Sequence, residues 1–557
     1  MASLPTDAMT TTRVGRFAPL AEPLYRRVWI ASLLSNFGQL ILGVGAAWEM
    51  TRLTSSAGMV ALVQSALMLP LMLVAVPAGA IADMFDRRRI AITGLAFASF
   101  CGVILTTLAF FHLTSPWVLL AGCALIGGGV ALYGPAWQAS IGELVAPELL
   151  PPAVALGTIS YNVARSFGPA LGGLIVLAMG AKAAFAINAA CYLPLLVIFL
   201  LWRRKHVPSR LPPERIDRAI VSGARYAWHA TPIRTVLARA FAFGAVSASS
   251  AALAPLVAKD LLHGNAGVFG LLLGATGVGA VGGALLVAEA RDKFGTERSL
   301  RALAVIGGAA LAGIGVSRNI WATGALLGIM GAANIVTVAL LNVSVQMAAP
   351  RWVTARALSL YQSALTGGIA IGAGLWGAFA THFGVATAME ASGALLALTA
   401  LLGLVLRLPE ASVEAAQQVT IANTPEVGMA LTMRSGPVVI SLDYVVDPAN
   451  AREFYDAMRG LRRSRQRNGA FGWSLSRDIA DPSIWTERYQ FPAWGDYLRM
   501  RDRHTAADLE AQAAVDTHVL PGSPRVVRRK LERPFGSVRW RADSPDLHQD
   551  ASAILPP

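Results

Sequence analysis

Long apolar runs separated by short polar segments occupy roughly the first three quarters of the chain. A helix that crosses a bilayer needs about 20 mostly apolar residues, and about twelve runs reach that length. The pattern predicts an all-α polytopic membrane protein with twelve transmembrane helices. The predicted spans lie near residues 28–50, 57–81, 90–112, 116–138, 153–179, 183–202, 235–257, 265–288, 299–316, 319–346, 356–379 and 384–406.

The remainder of the chain has a different pattern. Val438, Ile440, Leu442 and Tyr444 occupy alternate positions, which is typical of a half-buried strand. Helical spacing follows, and then the order strand–strand–helix–strand. The whole order predicts an α+β domain of the ferredoxin-like type. The predicted domain is cytoplasmic and covers residues 436–535, between a linker at 411–435 and a disordered tail at 541–557.

The composition excludes an ordinary soluble protein, because 55% of the residues are hydrophobic and only 14% are charged. The net charge of +14 could by itself indicate nucleic-acid binding. However, residues 1–410 carry 28 Lys and Arg against 15 Asp and Glu, whereas residues 411–557 carry 19 and 18. Basic loops that face an anionic inner leaflet explain this distribution. A lipid bilayer is therefore the expected partner, and nucleic acid is not.

The basic residues also predict the orientation. With a cytoplasmic N-terminus, the inner segments hold about 22 Lys and Arg, and the outer loops hold only Arg52, Lys182, Lys259 and Arg318. Basic loops remain in the cytoplasm, so both termini are predicted to be cytoplasmic in a bacterial inner membrane. The predicted parts are an N-terminal segment at 1–27, a six-helix half at 28–202, a linker with an amphipathic helix at 203–234, and a second six-helix half at 235–406.

The loop between the second and third spans has a counterpart between the eighth and ninth spans. Asp83 and Asp292 align at an offset of 209 residues. The first copy resembles the signature that the major facilitator superfamily carries at this loop. The residues that carry the resemblance are Gly79, Asp83, Arg87 and Arg88, with departures from the signature at Met84 and Asp86.

The fifth span holds a second motif. Gly168, Pro169, Gly172 and Gly173 resemble the antiporter motif of that superfamily. The wider pattern resembles its branch of drug and siderophore exporters, which includes the enterobactin exporter and the transmembrane secretion effectors. The resemblance implies a secondary active exporter of small molecules that works by alternating access and exchanges its substrate for protons. An importer of the same superfamily is an open alternative.

The resemblance implies that Asp83 contributes to an inner gate. Its carboxylate is expected to face the N-terminus of the eleventh span, where the helix dipole favours negative charge. Alternatively, it pairs with Arg87, Arg88 or Arg356. These contacts would break when the two halves rock. The competing interpretation is a cluster of charges at the cytoplasmic surface with no gating role.

Charged residues at membrane depth are costly and usually functional. Arg165 in the fifth span is expected to contact an anionic substrate or a carboxylate, or else to form a structural ion pair. Glu49 in the first span is the expected proton carrier, unless it pairs with Arg52. Polar residues that could line a substrate cavity are Asn36, Gln39 and Asn334.

The tail offers a competing function. It resembles the dimeric α+β-barrel domains of the antibiotic-biosynthesis monooxygenase type, which allows self-association or a membrane-anchored enzyme or sensor. His504 and four tryptophans could form a pocket, but no catalytic motif accompanies them. We therefore expect a transporter and not an enzyme. No metal or cofactor is expected, since the three cysteines lie in apolar runs and the G-x-G-x-x-G sequence at 277–282 lies inside a span.

Overall fold

The computed structural model describes residues 17–84, 86–146, 149–202, 225, 228–350, 353–408, 427–429, 431–502, 504–523 and 526–532. The chain divides into two compact units. The helical unit comprises Met1–Ile216, Leu237–Leu341 and Ser359–Arg407, and the tail unit comprises Asp217–Val236, Asn342–Leu358 and Leu408–Pro557. Most of the predicted amphipathic helix in 203–234, most of the linker at 411–435 and the predicted disordered tail at 541–557 lie outside the described residues.

Within the described residues, twelve helices are long and apolar enough to cross a membrane, which confirms the number of predicted spans. The observed ends differ from the predicted ends by a few residues. The helices are α1 (Pro23–Leu53), α2 (Ala57–Met84), α3 (Arg87–Phe110), α4 (Pro116–Leu144), α5 (Leu150–Met179), α6 (Ala181–Leu201), α7 (Thr231–Leu261, with a break after Ser247), α8 (Ala266–Phe294), α9 (Thr296–Val316), α10 (Ile320–Ala348), α11 (Thr354–Phe383) and α12 (Val385–Val405, with a 3-10 turn at Thr399–Leu401).

Single glycines make three of the connections between helices. Gly180 alone separates α5 from α6, Gly295 separates α8 from α9, and Gly384 separates α11 from α12. Their φ angles are 78°, 74° and 85°, a region that a residue with a Cβ atom adopts only with strain. Glycine is therefore required where the chain reverses within one residue.

Small residues allow the helices to pack closely within the helical unit. A Cβ atom on Gly94 of α3 would lie 2.7 Å from the carbonyl oxygen of Gly129 in α4. A Cβ atom on Gly308 of α9 would lie 2.5 Å from the carbonyl oxygen of Gly393 in α12. Such close backbone approach provides the van der Waals contact that holds membrane helices together.

The tail unit contains a four-stranded antiparallel sheet in the order β2-β3-β1-β4. Apolar side chains of β1 and of the following helix form its core, among them Ile440, Phe454 and Met458, each at most 1% exposed. The elements are β1 (Val438–Val445), α13 (Ala451–Arg467), β2 (Phe471–Arg477), β3 (Ile484–Phe491), α14 (Trp494–Asp502), α15 (Ala506–Asp516) and β4 (Val526–Leu531).

The four predicted strands are all present, but the helical region after β3 differs from the prediction. The sequence predicted one helical region there, whereas the structure has both α14 and α15. The second helix begins because Thr505 and Asp508 form a capping box, in which each side chain accepts the backbone N–H of the other residue.

Candidate functional site

Helices α5 and α8 form a close contact between α1–α6 and α7–α12, which we call the α5–α8 seam. A Cβ atom on Gly173 would lie 2.5 Å from the Cα atom of Gly270, and one on Gly277 would lie 2.5 Å from the Cα atom of Ser166. The Ser166 hydroxyl also donates to the carbonyl oxygen of Gly277 at 3.3 Å. One glycine of the antiporter-like motif, Gly173, therefore lies in this seam.

Two other glycines of the motif lie on a different face of α5. A Cβ atom on Gly168 would lie 3.1 Å from the Cβ atom of Leu40, and one on Gly172 would lie 3.1 Å from that of Val44. Both neighbours belong to α1. Pro169 lies inside α5, and its carbonyl oxygen is 3.3 Å from the place where a Cβ atom on Gly270 would lie. The motif therefore packs α5 against α1 and α8 at once.

A second seam joins α2 to α11. The hydroxyl of Ser65 donates to the carbonyl oxygen of Ala370 at 2.6 Å, and the hydroxyl of Thr381 accepts the backbone N–H of Gly58 at 2.9 Å. Gly377 is also close to α2, since its Cβ position would lie 2.5 Å from the Cβ atom of Ala61. This α2–α11 seam is another contact between α1–α6 and α7–α12.

Two further contacts between these helix sets lie at the end of the unit where α1 ends. The Nζ atom of Lys259 in α7 donates to the carbonyl oxygen of Thr51 at 2.5 Å. The ring of Trp48 in α1 stacks on that of Phe269 in α8, with centroids 6.1 Å apart. The two helix sets are therefore in contact at this end.

Towards the opposite end, the faces that continue the α5–α8 seam are exposed. Helical spacing places Ile159 about two turns before Ser166 on the same face of α5, and Val281 one turn after Gly277 on the same face of α8. These side chains are 46% and 47% exposed. The α5–α8 contact is thus made at one end and does not continue along the same two faces.

Arg165 is half-buried near the middle of α5. With 3.6 residues per turn, it lies on the stripe between the face that contacts α1, marked by Gly168, and the face that contacts α8, marked by Ser166. Its guanidinium makes no hydrogen bond or ion pair with any residue in the described part of the chain. The structural ion pair that the sequence left open is therefore not formed there.

The polar candidates within the spans have different surroundings. The Nδ2 atom of Asn36 in α1 donates to the hydroxyl of Ser160 in α5 at 3.3 Å. Gln39 in α1 and Asn334 in α10 are half-buried, and neither side chain has a hydrogen-bond partner among the residues that the structure describes. Asn36 is thus a helix–helix contact, whereas Gln39 and Asn334 have polar groups available.

Glu49 lies at the other end of α1. Its carboxylate accepts a hydrogen bond from Arg52 at 3.3 Å, with side-chain exposures of 16% and 65%. This is the ion pair that the sequence allowed as an alternative to proton transfer. Phe37 of α1 faces Gly168 of α5, so Phe37 lies near the level of Arg165. Glu49 is more than three turns beyond Phe37, which is about 18 Å along α1.

The first copy of the gate motif surrounds the connection between α2 and α3. Gly79 and Asp83 lie in the last turns of α2, and their side chains lie outside the described part of the structure. The carboxylate of Asp86 caps α3 by accepting the backbone N–H groups of Arg88 and Arg89, at 2.9 Å and 3.3 Å. Asp86, one of the two departures from the family signature, therefore caps the start of α3.

The arginines of this motif bind to other helices. Arg87 donates to the carboxylate of Glu143 in α4 at 3.1 Å. Arg88 donates to the carbonyl oxygens of Phe199 and Leu200, both at 2.7 Å, at the end of α6. A cation is favourable at this terminus because helix carbonyls lack partners there and carry partial negative charge. No local pattern in the sequence indicates these partners.

The second copy of the motif is built differently. Asp292 pairs with its neighbour Arg291 at 3.1 Å and is 65% exposed. The main ionic group is instead Glu297 of α9, which accepts from Arg239 of α7 at 2.6 Å and from Arg301 at 3.1 Å. Arg301 also donates to the carbonyl oxygen of Gly403 in α12 at 2.9 Å.

The G-x-G-x-x-G sequence lies within α8, as its interpretation as small-residue packing required. Gly277 faces Ser166 of α5, and Gly279 is close to the backbone of Gly328 in α10. A Cβ atom on Gly282 would have no atom within 4 Å. The two close approaches place α8 between α5 and α10.

In the tail unit, Glu487 is fully buried at the centre of a polar network. Its carboxylate accepts from Arg465 at 3.2 Å, from the Tyr444 hydroxyl at 2.9 Å and from the Trp473 indole at 2.9 Å. Burial raises the pKa of Tyr444 far above its ordinary value, and the neighbouring carboxylate adds to this rise. Since protein groups satisfy the carboxylate, this network is part of the core.

His504 is also buried in the tail unit. Its Nδ1 atom lies 3.0 Å from the carbonyl oxygen of Met500, and burial lowers the pKa of its imidazole below the usual range. No group of three His, Cys, Asp or Glu side chains in the described ranges is placed to hold a metal ion.

The chain matches the transmembrane secretion effector family over residues 14–535. The multidrug efflux pump Tap of Mycobacterium tuberculosis is 29% identical over 227 residues, which cover 38% of this chain and 52% of Tap. The chain thus spans about half the length of that curated relative. The staphyloferrin A transporter of Staphylococcus aureus is 23% identical over 287 residues, or 51% of this chain and 72% of that protein.

Solved transporter structures share the fold. The nucleoside transporter NupG has a TM-score of 0.51 at 13% identity, covering 69% of this chain and 98% of NupG. A bacterial homologue of the lysosomal transporter Spinster, in an inward-facing and occupied conformation, has a TM-score of 0.54 at 14% identity, covering 70% of this chain and 97% of that one.

Proposed function

The chain belongs to the transmembrane secretion effector family of the major facilitator superfamily, and on that premise we propose that it is a secondary active exporter of small molecules. It would work by alternating access between two six-helix halves, α1–α6 and α7–α12. We place it in the bacterial inner membrane, with both termini and the tail on the cytoplasmic side. The basic inner segments support this orientation.

The observation that carries the proposal is the pair of seams. The α5–α8 and α2–α11 seams join the two proposed halves through close glycine contacts and short polar contacts. Alternating access would require these two seams to open and close as the proposed halves rock as rigid bodies. The α5–α8 contact at one end, with exposed faces beyond it, corresponds to one of the two states that rocking would connect.

Export is supported by the antiporter-like motif in α5, whose Gly173 lies in a seam while Gly168 and Gly172 hold α5 on α1. The name of the relative Tap, a multidrug efflux pump, points in the same direction. We propose that Asp83 helps to close the cytoplasmic end. Gly79, Arg87 and Arg88 belong to the same loop and would support its position, and Asp292 is the matching residue of the second loop.

Arg165 is the proposed substrate contact. It is half-buried, has no acidic partner among the described residues, and lies between the faces of α5 that contact α1 and α8. An unpaired cation at membrane depth is costly, and an anionic group of the substrate would offset that cost. Gln39 and Asn334 would add hydrogen bonds to the same substrate.

A proton gradient is the proposed energy source, with Glu49 as the acid that alternates between protonated and ionised forms. Glu49→Gln should abolish efflux driven by a pH gradient and leave substrate binding intact, as measured in proteoliposomes. Glu390→Gln in α12 is the control, and we expect it to retain efflux. Efflux that survives Glu49→Gln but fails in Glu390→Gln would indicate that Glu390, and not Glu49, is the proton carrier.

We propose that the tail forms a ferredoxin-like domain with no catalytic role in this protein. The strand order β2-β3-β1-β4 supports that topology. Self-association through this domain is a further proposal, which size-exclusion chromatography of the detergent-purified protein tests.

The main experiment restrains the seam. In a background without Cys101, Cys123 and Cys191, Ser65→Cys with Ala370→Cys places a disulfide across the α2–α11 seam. A matched pair, Ser99→Cys with Ala189→Cys, replaces the same kind of hydroxyl-to-carbonyl contact between α3 and α6.

Oxidation should abolish efflux in the Ser65→Cys/Ala370→Cys variant, and reduction should restore it. The Ser99→Cys/Ala189→Cys variant should remain active in both states. The transported compound is first identified by a growth screen, with expression on and off. Full efflux from the oxidised seam pair would contradict alternating access by these halves. Substrate accumulation on the cytoplasmic side would identify an importer.

A further inference from the structure

The outer face of α13 forms part of a cationic pocket in the tail unit. Helical spacing brings Arg459, Arg462, Arg463 and Gln466 to one face of the helix. Together with Trp473 of β2 and His229 they line a cavity of about 330 Å³. This volume lies at the lower end of the range for small-molecule sites.

The charges of this pocket are largely uncompensated. Arg459 pairs with Asp456 at 3.3 Å, and both side chains are more than half exposed. The guanidinium of Arg462 lies over the ring of Trp473, 5.4 Å from its centroid. Neither Arg462 nor Arg463 has a carboxylate partner among the residues that the structure describes. Two guanidinium groups are therefore available to an anion.

The remaining wall indicates how strong the positive potential is. Arg225 donates to the carbonyl oxygen of Gly469 at 3.0 Å, which holds its charge close to His229. The pKa of His229 lies below its usual value, because of burial first and then because of the charges of Arg225 and Arg462. The arginines therefore supply the positive charge of this pocket.

The position of the pocket along the chain points to a membrane ligand. His229 lies two residues before Thr231, where α7 begins, and α7 is long and apolar enough to cross a membrane. Trp228 beside it is 70% exposed, and tryptophan is enriched at the membrane–water interface. The wall of the pocket formed by His229 therefore lies within one helical turn of the start of a membrane span.

We propose that this pocket binds the phosphate group of an anionic phospholipid at the membrane surface. Guanidinium groups recognise phosphate through paired hydrogen bonds, and clustered arginines near a span attract anionic lipids. A soluble phosphate compound has the same chemistry, but the short distance to α7 favours the lipid. The proposal requires that α7 spans the membrane and does not depend on what the protein transports.

The test uses the full chain purified in detergent, with lipid binding followed by native mass spectrometry. The probes are short-chain phosphatidylglycerol, phosphatidylcholine and inorganic phosphate. The pocket variant is Arg462→Gln with Arg463→Gln. The control is Arg452→Gln with Lys530→Gln, two exposed positions outside the pocket that remove the same charge. Circular dichroism confirms that both variants are folded.

Phosphatidylglycerol should bind about thirtyfold more weakly to the pocket variant, which is the effect of roughly two basic residues near an anionic surface. Binding to the control variant should change less than about threefold, and phosphatidylcholine should bind weakly throughout. Equal weakening of phosphatidylglycerol binding in both double variants would contradict a lipid site in this pocket. Inorganic phosphate binding as tightly as phosphatidylglycerol would replace the lipid with a soluble ligand.

Discussion

The connection between α2 and α3 and the connection between α8 and α9 come from matching places in the sequence, yet different chemistry holds them. At an offset of 209 residues, Asp86 corresponds to Gly295 and Arg88 corresponds to Glu297. The first connection begins its helix with a carboxylate cap, and the second with a glycine at φ 74°.

One role is nevertheless kept in both places. Arg88 donates to carbonyl oxygens at the end of α6, and Arg301 donates to one at the end of α12. Arg301 stands one turn after Glu297, which is the position that matches Arg88 and carries the opposite charge. An arginine therefore joins α3 to α6 and another joins α9 to α12, but the two arginines do not occupy matching positions in the sequence.

The largest expected difference between the two connections concerns stability. Glu297→Gln removes the partner of Arg239, whose side chain is 8% exposed, whereas Glu297 itself is 26% exposed. Breaking a buried pair costs 3–5 kcal/mol, and partial exposure reduces this to about 2–3 kcal/mol. Thermal and denaturant unfolding of the purified protein in detergent measures the loss.

The matched change in the first connection is Glu143→Gln, which removes the partner of Arg87. Glu143 is about as exposed as Glu297, but Arg87 is 28% exposed whereas Arg239 is 8% exposed. The expected cost is therefore smaller, about 1–2 kcal/mol. Equal losses in Glu297→Gln and Glu143→Gln would show that the two connections are held alike.

The next difference concerns transport. Asp83→Asn should reduce efflux at least about tenfold in cells with normal expression, because it removes the charge proposed to close the cytoplasmic end. Tenfold corresponds to about 1.4 kcal/mol. Asp292→Asn is the control at the matching position, and its exposed carboxylate should leave efflux within about twofold. Normal efflux in Asp83→Asn would remove Asp83 from the gate.

The smallest difference concerns how α3 and α9 begin. Asp86→Ala removes a side-chain cap, at a cost of about 1 kcal/mol. Gly295→Ala forces a Cβ atom into a positive-φ region that is essentially restricted to glycine, at about 1–3 kcal/mol. Asp86→Gly distinguishes the carboxylate cap of α3 from the positive-φ glycine before α9. It should cost only a few tenths of a kcal/mol relative to Asp86. Unfolding midpoints of the three variants measure this order, and a large loss in Asp86→Gly would reject it.

The sequence predicted what depends on local pattern. Apolar length identified the twelve spans, and alternation of apolar residues identified the first strand of the tail. Small residues in α8 were correctly interpreted as packing. The separate helix α15 was missed, although Thr505 and Asp508 are a visible start signal.

The charged partners could not be predicted in the same way. Arg88 and Phe199 are separated by 111 residues, and Arg239 and Glu297 by 58. No local pattern connects residues so far apart, because their contact depends on how the helices pack. Arg87 contacts Glu143, a carboxylate that no local sequence pattern indicates. The side chain of Asp83 lies outside the described residues, so its pairing with Arg87, Arg88 or Arg356 stays a prediction.

The single-glycine connections have a mechanical consequence. Each of α5, α8 and α11 belongs to a seam, and each is joined through one residue to α6, α9 or α12. The far end of α6 is tied to α3 by Arg88, and α9 is tied to α12 by Arg301. Displacement of a seam helix is therefore transmitted to the adjoining end of its neighbour through that one residue.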